Sequence, residues 1–174
     1  MLLRDSMIVS LEVYGKNSER AARARYSIDP LPCAGSWCLS DMVLFDASGR
    51  AVTAEVDSVM RRGAVELRFT NRKPLGVFWE MQGAAGSDLP VWLSLTVSPL
   101  RSSIVRRIAT RLKLAPELAP VRLRWQATLR SGRQGEVLTL QLPRNARGRY
   151  RVLLTLEAPD AQALSAVRDI ELLP

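Results

Sequence analysis

Val91-Trp92-Leu93-Ser94-Leu95-Thr96-Val97 reads as a β-strand. Val91, Leu93, Leu95 and Val97 fall on one side of it, because successive side chains of a strand point to opposite faces. The same period of two runs outward in both directions. Ala64 to Thr70 alternates, with Val65, Leu67 and Phe69 facing in and Glu66 and Arg68 facing out. Met7 to Tyr14, Arg23 to Ser27, Asp41 to Phe45 and Leu75 to Met81 are further expected strands, followed by Val121 to Thr128, Val137 to Leu142, Tyr150 to Glu157 and Ala166 to Leu172. Asp46-Ala-Ser-Gly49 is a turn with glycine placed for positive φ, and Arg50 to Val56 is expected to return beside Phe45 as the second arm of a hairpin. Turn signals recur about every ten residues, the spacing of a sandwich or barrel.

Gly148-Arg149-Tyr150 opens the strand that runs to Glu157. A Gly-x-Tyr step at that point suits a Greek-key sandwich, where the ring packs at a corner and its hydroxyl bonds nearby backbone. Tyr150 is therefore read as structural. One segment departs from the period of two. Ser102 to Ala115 reads as a helix, capped by Ser102 or Ser103 and ended by Pro116. Ile104, Val105, Ile108 and Leu112 make its apolar stripe, and Arg106, Arg107, Arg111 and Lys113 fill the other side.

The chain has 174 residues, 47% of them hydrophobic and 24% charged, enough to fill the core of one domain or two small ones. No apolar run reaches the roughly 18–20 residues of a membrane-spanning helix, and Met1 to Ser6 with the stretch after it does not read as a signal peptide. There is no histidine, which removes Ser-His-Asp and Cys-His catalysis and histidine metal sites. The net charge is +8, and the only lysines are Lys16, Lys73 and Lys113, so arginine dominates the basic set. Arginine suits carboxylate and phosphate partners, although genome composition produces the same bias.

Cys33 and Cys38 enclose Ala-Gly-Ser-Trp. Two thiols do not complete a tetrahedral zinc site, and the spacing is not Cys-x-x-Cys. A short-loop disulfide implies an oxidising compartment, and two reduced thiols imply the cytoplasm. Of the four tryptophans, Trp79 and Trp125 are expected in the core, while Trp37 and Trp92 are candidates for an exposed aromatic anchor. The carboxylates Asp41, Asp46, Asp57 and Glu66 have the spacing of solvated hairpin faces, and no phosphate-loop, Gly-x-Ser-x-Gly or His-Glu-x-x-His motif is present. The chain is read as having no enzymatic activity, no metal and no cofactor.

Leu39 to Phe45, Val77 to Gly83, Trp125 and Gly148 to Tyr150 together resemble the β-rich region of bacterial GWxTD-domain proteins. The signature that names that family is absent, since Gly35-Ser-Trp37 departs from it. The resemblance implies a shared sandwich architecture and an envelope or secreted setting, and it transfers no site residue. Ig-like and fibronectin-like sandwiches fit the same residues.

A faint echo links the two halves. Glu12-Val-Tyr-Gly15 with Tyr26 to Leu31 parallels Glu80-Met-Gln-Gly83 with Leu95 to Leu100. The expected architecture is all-β: two tandem antiparallel sandwich modules of Ig-like, Greek-key type, residues 1–73 and 74–174, the second with the short basic helix at 102–115. A single larger sandwich is the alternative. The expected function is a protein-interaction or structural module of a bacterial cell-envelope assembly, periplasmic or envelope-associated, with the cytoplasm as the alternative. In this reading Arg106, Arg107, Arg111 and Lys113 supply attraction and Trp37 or Trp92 an anchor. The alternatives are polyanion binding (nucleic acid or anionic lipid) through the same helix and carbohydrate binding on the tryptophans.

Overall fold

The computed structural model describes residues 7–14, 21–28, 30–49, 52–64, 66–84, 88–100, 119–159 and 161–174. The chain divides into two compact units, Met1–Pro32 and Cys33–Pro174. In the first, β1 (Met7–Tyr14) and β2 (Ala21–Ile28) form an antiparallel two-stranded sheet.

The second unit is a β-sandwich. Its first sheet runs β10 (Gly132–Leu140), β7 (Leu75–Gly83), β4 (Trp37–Leu39), β3 (Cys33–Ala34), with β5 (Val43–Asp46) beside β7 on the same edge as β4. Its second sheet runs β6 (Arg68–Thr70), β12 (Leu164–Leu173), β11 (Gly148–Glu157), β8 (Leu89–Pro99), β9 (Val121–Leu129). All pairs are antiparallel except β6 with β12, which is parallel. The alternation predicted from sequence is what builds the core. Val91, Leu93, Leu95 and Val97 of β8 and Tyr150, Val152, Leu154 and Leu156 of β11 are buried, facing Leu39, Leu44, Leu75, Val77, Trp79 and Met81 of the first sheet. Burying one such side chain stabilises by about 1.5–3 kcal/mol before entropy is counted, so the inward rows hold the two sheets together.

β4 and β5 are successive pieces of one strand, broken by a bulge. Leu39 pairs with Met81 and Val43 with Phe78, so three residues oppose two. Ser40 closes the gap. Its N–H donates to the Glu80 carbonyl at 2.8 Å, and its hydroxyl accepts from the Glu80 N–H at 2.8 Å. The Asp41 carboxylate accepts from the Met42 N–H and pairs with Arg168 of β12, across to the other sheet.

The outer face of the first sheet is covered by its own chain. After β5 the Asp46 carboxylate accepts from the Ser48 N–H at 2.8 Å, and Gly49 takes φ +92. The chain then crosses the sheet through the short helix α1 (Val56–Met60). Val59 is buried with Phe45 and Phe78, and Val52, Val56 and Val137 pack around them. The chain returns to β5 only at Gly63 and Ala64, where the Ala64 N–H donates to the Leu44 carbonyl.

Four expectations are corrected. Of the expected returning strand, Arg50 and Ala51 lie outside the described residues and 52–56 form no strand: Val52, Val56 and Val59 are spaced to cover Phe45 and Phe78 from one side, which an alternating strand does not do. Of the described residues in the run from Ala64, only Arg68–Thr70 form a strand. Residues 73 and 74 mark no boundary, because β4 and β5 pair with β7 and β6 pairs with β12, all around one core. The internal echo has no structural counterpart: β1 and β2 pair with each other, whereas β7 and β8 lie in different sheets. The expected helix at 102–115 lies outside the described residues.

The Asp46 turn yields a pH prediction. Lys73 donates to its carboxylate at 2.5 Å. Chiefly through that bond, and then through Ser48, the Asp46 pKa falls to about 2. A carboxyl whose pKa is lowered on folding contributes stability that is whole above its ordinary value and is lost as pH falls through the lowered one. The expected window of loss is therefore from near 3.8 down to about 2. Carbon-detected NMR titration of Asp46 should show the lowered midpoint, and Lys73→Met should move it back up. An unchanged midpoint in Lys73→Met would show that Lys73 is not the cause.

Candidate functional site: an aromatic-cationic cluster on the outer sheet face

The inward rows of the second sheet leave its even positions on β8 facing out. Trp92 lies between Val91 and Leu93, both fully buried, and is itself 44% exposed. Strand pairing sets what surrounds it: Gln126 of β9 opposite on one side and Glu157 of β11 on the other. Arg124 sits diagonally, opposite Ser94. Its guanidinium lies over the indole at 4.8 Å from the ring centroid, and Nη2 donates to Glu157 at 3.0 Å. Arg124 thus spans β8, stacking on Trp92 and reaching β11. A guanidinium over an indole is favourable by about 0.5–1 kcal/mol at an exposed site, which orients both groups ahead of any contact.

The rest of this face is flat and mixed. Ser94, Thr96 and Thr155 are half-buried beside the cluster, and Val167 is exposed beyond Leu153. At the β12 edge the charges are matched. Arg151 grips Asp169 through two bonds, 2.9 and 3.2 Å, which holds the Asp169 carboxyl below its usual range and raises Arg151. Arg68 bonds Glu171 at 3.1 Å. Because carboxylates alternate with the arginines there, that edge presents no single-signed field.

The structure treats the expected site residues differently. Trp92 is on the surface. Trp37 is not: its parity on β4 follows Leu39 into the core, and it is 6% exposed, which corrects its reading as an anchor. Trp79 is buried and Trp125 half-buried, their rings 6.0 Å apart and tilted, as expected of core residues. Tyr150 is buried at the start of β11, opposite Pro99. Arg106, Arg107, Arg111 and Lys113 lie outside the described residues. Arg124 and Glu157 went unrecognised in the sequence, since only the strand register brings a residue 32 positions along the chain onto Trp92.

Cys33 and Cys38 are disulfide-bonded. They are directly opposed across the β3–β4 hairpin, whose turn is Gly35-Ser36 with Gly35 at φ +63. That φ is open to glycine at little cost. The bond ties the two-residue edge strand β3 to β4. Among the described residues no group of three or more cysteine or carboxylate side chains is placed to hold a metal ion, and no helix is long and apolar enough to cross a membrane.

No family model and no curated protein matches this chain. Among solved structures it is similar to a beta-glucosidase from Listeria innocua crystallised with glucose, at 14% identity and a TM-score of 0.41 over 64% of this chain and 15% of that one. It is likewise similar to a beta-glucosidase from Listeria innocua in complex with gluconolactone, at 14% identity and a TM-score of 0.39 over 77% of this chain and 16% of that one. The chain spans less than a fifth of those structures' length, and the likeness is one of β-rich fold.

Proposed function

We propose that the chain is a non-enzymatic interaction module of a bacterial cell-envelope assembly, and that the Trp92 face of its second sheet is the surface that meets a partner protein. The observation that carries this is the exposed Trp92 with Arg124 stacked on it and held by Glu157. Tryptophan and arginine are the residue types that concentrate binding energy at protein interfaces. Here they are pre-oriented, and Val167 leaves further apolar area exposed on the same sheet face. The Cys33–Cys38 bond supports an oxidising compartment, and the GWxTD resemblance points the same way. Arg124 already lies over the indole, which favours a protein contact over sugar stacking on a bare ring.

Capture of a discrete partner from envelope extract, followed by titration of the purified partner, tests the reading. Trp92→Ala is expected to weaken binding about 30-fold or more, the equivalent of about 2 kcal/mol. The thermal unfolding midpoint should barely move, because the ring is outside the core. Unchanged affinity in Trp92→Ala defeats the proposal. A steep loss of affinity with salt, with nucleic acid or anionic lipid as the ligand, would support the polyanion reading instead.

A further inference from the structure

We infer that β1 is a self-association edge, and that two copies of the chain join there into one four-stranded antiparallel sheet. Leu11 is 57% and Val13 58% exposed, with Ile8 and Tyr14 more so. A lone two-stranded hairpin is marginal in water; three or more strands with an apolar face are needed for independent stability. Neither outer edge of this hairpin has a strand partner among the described residues.

Register and charge choose between the two edges. Val9, Leu11 and Val13 share one face with Ala22 and Ala24, and Ser10 and Glu12 share the other with Arg23 and Arg25. Antiparallel partners lie on the same face, so when a strand pairs with its own copy only registers that match odd with odd and even with even positions keep the apolar face whole. A two-fold axis at Ala24 of β2 would set Arg23 directly opposite Arg25 of the second copy, twice. An axis at Arg23 or Arg25 would set that arginine opposite itself, and an axis at Ala22 or Tyr26 would pair only three or five residues of β2, against seven of β1 for an axis at Leu11. Like charges so placed destabilise, and charged side chains are a standard guard of an open edge.

A two-fold axis at Leu11 of β1 has no such conflict. It sets Leu11 against Leu11, Val9 against Val13, Ser10 against Glu12 and Ile8 against Tyr14. The resulting order is β2-β1-β1-β2, with one continuous apolar face and arginines on both outer edges. The overall charge does not oppose it strongly: residues 1–32 hold five basic and four acidic residues, a net +1, against +7 for the rest.

Sedimentation equilibrium of the full chain tests the inference. The expected result is a two-chain mass that drops to a one-chain mass in Leu11→Arg, which places like charges on the axis. A second measurement stands apart from folding of that variant. With the native disulfide intact, Leu11→Cys should give an intermolecular disulfide dimer under mild oxidation, and Ala24→Cys should not. A one-chain wild type at every concentration, a dimer that survives Leu11→Arg, or cross-linking through Ala24→Cys in place of Leu11→Cys would each overturn it.

Discussion

Phe45→Ala is expected to cost about 3–5 kcal/mol of stability, and a second substitution, Gly76→Ala, is expected to return part of that loss. Phe45 is fully buried and lies directly opposite Gly76 on β7. Its ring occupies the space a side chain at Gly76 would need: a Cβ there would sit 2.3 Å from the ring. Gly76→Ala alone must therefore displace the ring, and with it the contacts to Phe78 and Val59 that hold α1 on the sheet. In the double variant the new methyl group enters the cavity left by the ring and no longer clashes. Alanine also removes the entropy cost of a mid-strand glycine, roughly 0.5–1 kcal/mol. Residues in contact couple by about 0.5–3 kcal/mol in a double-mutant cycle. Urea denaturation of the four proteins measures it. Additive losses would mean that ring and glycine do not share the space.

This pair also marks where sequence reading stops. The strands of the second sheet were legible because each places its apolar residues at alternate positions, as β8 does from Val91 to Val97. Parity alone fixes which side is buried, so Trp92 could be named as a surface candidate. The expected strand up to Val56 is absent over residues 52–56 because Val52 and Val56 answer to Phe45 and Phe78 on two other strands rather than to a local period. The burial of Trp37 is not legible in the sequence because a two-residue turn precedes it, and parity cannot be carried through a turn whose geometry is unknown. The expected boundary at residues 73 and 74 fails for a related reason. The strand pairs that cross residues 73 and 74, β4 and β5 with β7 and β6 with β12, join distant stretches, and no local pattern encodes them. The candidate site shows the same division: Trp92 follows from parity, whereas Arg124 and Glu157 follow only from the register of three strands.

Asn71→Asp is expected to destabilise by about 3–5 kcal/mol at neutral pH, the cost of a buried charge left without its partner. Asn71 is the one buried polar side chain among the described residues. Its amide nitrogen donates to the Arg144 carbonyl at 2.7 Å and to the Ala146 carbonyl at 3.0 Å, while its backbone N–H donates to the Leu173 carbonyl at 3.0 Å. The side chain therefore pins the turn before β11 to the end of β6. Aspartate has nearly the same shape but no side-chain donor when ionised, so its carboxylate would face two carbonyl oxygens. Protonation would restore one donor, which raises the folded-state pKa of that aspartate above its unfolded value. A folded state that binds more protons than the unfolded one loses stability as pH rises through that range. The deficit of Asn71→Asp should thus shrink in acid and reach its full size at neutral pH. Asn71→Ala removes the donors without adding charge and should cost about 1–3 kcal/mol at every pH. Denaturant unfolding of both variants at pH 4 and pH 7 separates the two effects. Equal losses without pH dependence would show that the carboxylate of Asn71→Asp costs nothing beyond the two donors that both variants lose, which would overturn the argument from the Arg144 and Ala146 carbonyls.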